Sequence, residues 1–537
     1  MRHWWQDAVF YQIYPRSFAD SDGDGIGDLA GIRSRLPYLR ELGVDALWIS
    51  PFFPSPMKDF GYDIADYRGV DPMFGDLADF DELAAEAGRL GIRIVLDLVV
   101  NHSSDEHPWF VEARSSRESP RHGWYLWTPD TGRPPNNWKA IFELGSAWHP
   151  NPATGERYLG TFTRHQPEFD WGNRELREEI YATMRWWFER GVDGFRLDVA
   201  TAYVKDAELR SNPFLPKANP DFFQRHLYDR NRPEVHGIFR EMREVADRAG
   251  GKVLIGETHG QDAALAASCH GERGDELHMA FNFDFLHRRW DAREFRESAE
   301  RWYALLPEGA WPNFTLSNHD QPRHAFRHRS RDPRITDGRA RVAAAMLLTL
   351  RGSPFVYYGE ELGMTCCRLP RRALRDPLGV KTWPLGFLGR DPERTPMQWD
   401  ASPGAGFSSA PASGGAPAAP WLPVNPDYIS RNAASQAADP GSLLSWYKSL
   451  IALRRGSEAL RSGSIRFLDL DPDVLAYERA AGEERVLVLL NFSSREKRVG
   501  LEARARVLAG SARAAGESLE AGEARLGPCE AVVAGLA

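Results

Sequence analysis

Three acidic residues each close a run of residues that reads as a buried strand. They are Asp198 in Gly191-Val192-Asp193-Gly194-Phe195-Arg196-Leu197-Asp198, Glu257 in Leu254-Ile255-Gly256-Glu257-Thr258, and Asp320 in Leu316-Ser317-Asn318-His319-Asp320. Two histidines accompany them, His319 and the His102 of Asp97-Leu98-Val99-Val100-Asn101-His102. Alternation along a strand points Arg196 and Asp198 the same way. A guanidinium beside Asp198 keeps it ionised, which makes it a nucleophile or electrostatic stabiliser. A buried structural salt bridge would explain one such pair. It does not explain three acidic strand ends, because a buried carboxylate costs several kcal/mol unless paired, and Arg196 is the one obvious partner. Glu257 follows an apolar strand with no cation beside it in sequence, so its pKa should be raised. One ionised and one protonated carboxyl are what glycoside hydrolysis requires. Asp198 is then the nucleophile, Glu257 the general acid and then base, and Asp320 a clamp on sugar hydroxyls. A separation of ~5 Å between Asp198 and Glu257 would make the reaction retaining.

The elements that must carry these groups alternate. Strands are expected over Val9–Tyr14, Val44–Ile49, Ile92–Val100, Val192–Val199, Val253–Glu257, His278–Phe285, Asn313–Asn318 and Pro354–Tyr358. Helices are expected over Leu29–Leu42, Asp79–Leu90, Glu175–Arg190, Val235–Ala249, Arg293–Leu306 and Asp337–Leu350. Eight strands with intervening helices give an α/β fold, a (β/α)8 TIM barrel, which places its chemistry at the C-terminal strand ends. The rhythm breaks over 101–170, a stretch too long for a structureless loop and read as an inserted domain after the third strand. Ser402 to Pro426 is rich in Ala, Pro, Gly and Ser and reads as a mobile surface loop. A helix is expected over Pro440–Arg455. Short alternating strands follow from Gly463, including Val474–Arg479, Arg485–Asn491 and Ala531–Val533. The expected domains are the barrel at 1–100 and 171–456, the insertion at 101–170, and a C-terminal all-β sandwich at 457–537.

Net charge is −8 and the pI near 6.1, so no basic face recruits nucleic acid or anionic lipid. The chain has eighteen Trp, many in polar loops, which suits stacking on sugar faces. The start lacks the apolar run of a signal peptide, and no stretch is long enough to span a membrane. Four cysteines show neither metal-ligand nor thioredoxin spacing, and free thiols in a cytoplasm are expected.

Asp97 to His102, Gly194 to Asp198, Glu257, and Asn318-His319-Asp320 stand in the order and spacing of the α-amylase superfamily, glycoside hydrolase family 13. The chain resembles that family's oligo-1,6-glucosidase and α-glucosidase branch over essentially its whole length. The resemblance implies nucleophile Asp198, acid/base Glu257 and transition-state stabiliser Asp320, with Arg196, His102 and His319 in the same subsite. Gly61-Tyr62-Asp63 looks like the segment whose Tyr stacks under the terminal glucose and whose Asp holds its far hydroxyls. Arg394 in Arg394-Thr395-Pro396-Met397-Gln398-Trp399 looks like the exo-glucosidase arginine. An Asp63–Arg394 pair would close the pocket. Gln166-Pro167-Glu168-Phe169-Asp170-Trp171 resembles the inserted domain's Gln-Pro-Asp-Leu-Asn signature, departing from it at Glu168 and Asp170. Phe142 and Phe162 are candidate aromatic walls, with a core role as the alternative.

Carboxylates alternate with glycines from Asp20 to Asp28, which is how oxygen ligands wrap a hard cation. In this branch the matching loop holds calcium or magnesium in a structural role. The ligand set would be Asp20, Asp22, Asp24, Ile26 and Asp28. Val199 after the nucleophile leans towards α-1,6 links, whereas Arg368 to Trp383 looks like α-glucosidases acting on maltose. The expected activity is release of glucose from short α-glucosides, with transglucosylation to other acceptors. The expected partners are small saccharides, for a monomer or homodimer, with no nucleic acid, membrane or organic cofactor. The weighed alternatives are a trehalose synthase or sucrose isomerase, whose Arg-rich signature is not evident, a phosphosugar hydrolase fed by Arg371, Arg372 and Arg375, and a non-catalytic sugar-binding relative.

Overall fold

A computed structural model describes residues 2–216, 223–258, 262–384, 389–409 and 415–536. Eight parallel strands form a nearly closed barrel: β1 (Phe10–Ile13), β2 (Ala46–Ile49), β3 (Arg93–Leu98), β4 (Gly194–Leu197), β5 (Val253–Gly256), β6 (Met279–Ala280), β7 (Asn313–Thr315) and β8 (Ser353–Tyr357). Hydrogen bonds run in the order β7-β8-β1-β2-β3-β4-β5-β6. Apart from Arg93 at the start of β3, every barrel-strand residue is buried, as expected of strands covered on both faces. The flanking helices are amphipathic. Arg174–Glu189 buries Leu176, Ile180, Met184 and Trp187 at helical spacing.

Two expected elements differ. Leu29–Leu42 is two helices, Leu29–Ser34 and Leu36–Leu42, because Pro37 lacks the N–H that a continuous helix would use and opens the second one instead. His278–Phe285 is strand only at Met279–Ala280. A short helix, Phe283–Leu286, follows, where Asp284 pairs with Arg288 and accepts from Ser298 Oγ at 2.6 Å. Phe281 packs inside the barrel against Trp48, Phe283 and Phe355, whereas Phe285 packs on Phe295 of the flanking helix.

Within 101–170 a three-stranded antiparallel sheet forms from Trp127–Pro129, Glu156–Leu159 and Trp148–Asn151. At the C-terminus a six-stranded sheet faces a two-stranded ribbon, Lys497–Leu501 with Gly522–Leu526, across a core that includes Leu487, Val499, Leu526 and Val532. The stretch 402–426 is not the free loop expected. Residues 410–414 lie outside the described residues, but on either side the backbone bonds to the acidic loop. Ser409 N–H donates to the Asp20 carbonyl at 2.9 Å and Trp421 N–H to that of Gly25 at 2.9 Å.

Register is what brings the strand-end chemistry together. Arg196 on β4 stands opposite Asp97 on β3, and Leu197 opposite Gly256 on β5. The next residues are Asp198 and Glu257, whose N–H groups continue the ladder onto Leu98 O at 3.1 Å and Leu197 O at 2.9 Å. Gly194 lets β4 and β5 approach, since a Cβ there would stand 2.4 Å from the Val253 carbonyl oxygen. Gly194→Ala should therefore cost about 1–3 kcal/mol of stability, read as a lowered melting temperature. An unchanged melt would contradict this packing.

Candidate active site

Arg196 lies at the centre of the barrel mouth and is 1% exposed. Its Nη1 donates to Asp97 Oδ1 at 2.5 Å and to Asp198 Oδ1 at 2.8 Å, and its Nη2 meets Glu257 Oε2 at 2.6 Å. The expectation that Glu257 lacks a cation is thus corrected. In sequence Arg196 is next to Asp198 alone, but strand pairing sets it against β5 as well. Burial pushes the carboxyls of Asp97, Asp198 and Glu257 up, and Arg196 opposes it in each. One guanidinium faces three buried carboxyls, so the cluster titrates as a coupled unit rather than residue by residue. Glu257 Oε2 also accepts from Val199 N–H at 3.0 Å. That contact needs Val199 at φ +39°, a left-handed conformation that a β-branched residue adopts only when its surroundings enforce it.

Asp320 is held differently. Its Oδ1 accepts from Arg394 Nη2 at 2.7 Å and lies 3.4 Å from Arg390 Nη1. Burial works to raise its pKa, but His319, Arg390 and Arg394 outweigh it and hold the carboxyl well below the usual range. His319, pushed by burial to about 3, is a neutral imidazole at pH 7. Gln12 Nε2 sits 2.7 Å from its Nδ1, which leaves the ring N–H on Nε2, 2.6 Å from Tyr62 Oη. Tyr62 Oη in turn donates to Asp97 Oδ2 at 3.0 Å, and its ring stacks on His319 at 5.3 Å and 2°.

The expected Asp63–Arg394 pair does not form. Asp63 is fully buried and accepts from Lys58 N–H at 2.8 Å, Asp59 N–H at 3.0 Å and Ser55 Oγ at 3.0 Å. The pair that does form lies four residues upstream in each motif. Arg390 Nη2 meets Asp59 Oδ1 at 2.6 Å and Asp376 Oδ1 at 2.6 Å. Asp63 shapes the turn that presents Asp59, and Arg394 supports Asp320. Two acids, and two arginines, separated by four residues are a signal that could have raised the upstream members as candidates.

The inserted segment supplies the facing wall. Gln166 Nε2 donates to Asp59 Oδ2 and to the Tyr62 carbonyl, both at 3.2 Å. His102, its pKa lowered by burial, has its Nε2 2.8 Å from that same carbonyl. Phe142 and Phe162 stand 6.0 Å apart. Phe162 packs with Val199 and Ala202, and the Arg390 guanidinium lies 4.3 Å over the Phe142 ring. Both aromatics therefore join the site rather than a remote core. Glu168, where the signature usually has Asp, makes a buried ion pair with Lys205 at 2.6 Å. Lys205 was not among the expected residues, since a lysine seven residues past the nucleophile gives no sign of turning back.

Away from this pocket, Asp20, Asp22 and Asp28 bring carboxylate oxygens within 4.8 Å of one another. Asp20 is shaped by N–H bonds from Asp22, Gly23 and Gly25, and Asp28 by those from Ser21 and Gly31. Asp24 lies outside this group, its Oδ1 accepting from Ile26 N–H at 2.7 Å. Three oxygen donors at this spacing fit a hard divalent cation.

Residues 12–463 match the alpha amylase, catalytic domain family. The chain is similar to a probable alpha-glucosidase of Rhizobium meliloti (strain 1021), 44% identical over 92% of this chain and 90% of the relative. It is 38% identical to an oligo-1,6-glucosidase of Parageobacillus thermoglucosidasius, over 92% and 91% of the two. The crystal structure of an alpha-glucosyl transfer enzyme, XgtA, matches the whole of both chains with TM-score 0.92 at 38% identity. That of the trehalulose synthase MutB from Pseudomonas mesoacidophila MX-45 does so with TM-score 0.90 at 36% identity.

Burial pushes the Asp63 carboxyl up to about 6. A raised carboxyl favours the protonated fold, so its stabilisation is full below about pH 4 and is lost as pH rises through about 6. Asp63→Asn should be less stable than the parent at pH 4, with the gap narrowing by about 2 kcal/mol at pH 7. Denaturant titrations at the two pH values check this, and a constant gap would contradict it.

Proposed function

The chain belongs to the alpha amylase family of glycoside hydrolases, and on that premise we propose a retaining, exo-acting α-glucosidase that releases glucose from the non-reducing end of short α-glucosides. The observation that carries the exo reading is Arg390, which ties Asp59 to Asp376 and reaches Asp320, a fixed wall of charge on one side of the catalytic carboxyls. A chain running through the site would meet this wall, whereas a terminal glucose would meet hydrogen-bond partners for its far hydroxyls. Asp198 and Glu257 bind the two ends of one guanidinium, which supports the short spacing of a retaining pair.

In the first step an Asp198 carboxylate oxygen attacks the anomeric carbon. Glu257 gives its proton to the leaving glycosidic oxygen, and a covalent glucosyl-Asp198 forms. In the second step Glu257 takes a proton from water, which displaces Asp198 and frees glucose. A sugar or alcohol entering in place of water gives transglucosylation. Asp320, kept ionised by Arg390 and Arg394, stabilises positive charge developing on the glucosyl ring. The relatives' names include both α-glucosidase and oligo-1,6-glucosidase, so the proposed links are α-1,4 and α-1,6.

The likeness to a trehalulose synthase favours a second reading, isomerising glucosyl transfer. One product profile separates the two, using maltose, isomaltose, sucrose, trehalose and starch with an added alcohol. Glucose or alkyl glucoside from the disaccharides supports the first reading. A rearranged disaccharide from sucrose supports the second, and rapid mid-chain cleavage of starch refutes exo action. Asp198→Asn should remove turnover of an aryl α-glucoside without unfolding the chain.

The acidic loop is proposed to hold Ca2+ or Mg2+ through Asp20, Asp22 and Asp28, in a structural role. At a cation concentration of about 100 times Kd the gain would be about 3 kcal/mol. Chelation should therefore lower the melting temperature by several degrees and cation return should restore it. An unmoved melt after chelation overturns the site. The four cysteines are free, which is consistent with a proposed cytoplasmic location. Among the described residues, no helix is long and apolar enough to cross a membrane.

A further inference from the structure

Trp421 comes from the stretch whose composition suggests a mobile loop, yet its indole lies behind the pocket and meets three of its supports. Its Nε1–H donates to Ser17 Oγ at 2.9 Å, and Ser17 Oγ donates to the Arg394 carbonyl at 2.5 Å. Its ring lies 5.5 Å from that of Phe60, the residue after Asp59. It also lies 6.2 Å from Tyr14, whose ring stacks on His319 at 6.1 Å and carries the Arg394 guanidinium at 5.2 Å. The Arg16 guanidinium, 5.1 Å from Trp421 and 5.5 Å from Phe60, joins the same stack. On its other side Trp421 is anchored by its N–H on Gly25 O, and Ala418 N–H donates to Gly23 O at 2.7 Å. A Cβ at Gly25 would stand 2.3 Å from the Ala419 carbonyl oxygen, so this junction depends on glycine.

We propose that Trp421 is a positioning residue for the glucosyl pocket, acting through Ser17 on Arg394, through Tyr14 on His319 and through Phe60 on Asp59, with the acidic loop as its anchor. This rests on the reading of those groups as the pocket of an α-glucosidase. The reason for the effect is geometric. Arg394 Nη2 holds Asp320 at 2.7 Å and Arg394 Nε donates to His319 O at 2.7 Å, so a shift of Arg394 moves the clamp relative to Asp198 and Glu257. Misplacement on the scale of an ångström is felt in the transition state more than in ground-state binding.

The test uses the full chain and an aryl α-glucoside. Trp421→Phe keeps a ring and removes the N–H, and Ser17→Ala breaks the same connection from the other end. Each should lower kcat about tenfold, one net hydrogen bond, with KM moving less than about threefold. The double variant should be no slower than the slower single, because both break one chain of contacts. Gly25→Ala keeps the Trp421 and Ser17 side chains but pushes the 418–421 backbone off its anchor, and should lower kcat in the same direction. Folded variants with the parental kcat, or losses that multiply in the double, overturn the proposal. Should Trp421→Phe not fold, Ser17→Ala and Gly25→Ala decide by the same criteria. Should the parent turn over no α-glucoside, the functional reading fails and crystal structures decide instead. Displacement of Arg394 from Asp320 in Ser17→Ala supports positioning, and an unmoved pair overturns it.

Discussion

The site depends on one buried cation. Arg196 binds carboxyls from three adjacent strands, Asp97 on β3, Asp198 at the end of β4 and Glu257 at the end of β5. Removing a buried ionic partner leaves uncompensated charge and costs more than the pair itself contributes. The same contacts fix register, since a slip of one residue on β4 would turn Arg196 and Asp198 together away from Asp97 on β3 and Glu257 after β5. Asp97 is satisfied on its other oxygen by Trp48 Nε1 at 3.1 Å and Tyr62 Oη at 3.0 Å, and the Trp48 ring lies 5.2 Å from the guanidinium. The cation is therefore held by the barrel core beneath it and serves the chemistry above it.

A second set of contacts ties the inserted segment to the barrel. Gln166 reaches Asp59 and the Tyr62 carbonyl, His102 reaches the same carbonyl, and Lys205 joins Glu168 to the segment after β4. These links are polar and buried, so they specify geometry more than they add stability. They also explain why Glu168 is tolerated where its family signature usually has Asp. Its carboxylate is satisfied at both ends, by Lys205 and by Thr161 N–H at 3.0 Å.

The barrel was legible because strand and helix periods differ and because Asp198, Glu257 and Asp320 each end an apolar run. The misreadings share one physical cause. Side-chain partners across a fold are set by register and turn geometry, which one-dimensional adjacency does not encode. Adjacency gave Arg196 to Asp198 alone, while strand pairing also gives it to Glu257. Motif resemblance pointed to Asp63 and Arg394, but the left-handed Phe60 and Gly61 turn the chain so that Asp63 faces backbone N–H groups and Asp59 faces Arg390. Composition pointed to a mobile loop at 402–426, because a segment without a periodic apolar face gives no sign that its backbone is bonded to another loop.

The distribution of cations explains how carboxyls of one pocket are shifted in opposite directions. Asp97, Asp198 and Glu257 share one guanidinium, so burial prevails and raises all three above the usual carboxylate range. Asp320 and Asp376 lie among Arg390 and Arg394, and both are held below the usual carboxylate range. The groups that hold a proton more readily thus lie on the Arg196 side, and those held as carboxylates on the Asp320 side. Glycosidic cleavage uses both at once, an acid for the leaving oxygen and an anion beside the developing cation. The separation comes from His319, Arg390 and Arg394 gathered about Asp320, so a change that moved Arg394 or Arg390 away from it would weaken that fixed charge without touching the Arg196 cluster.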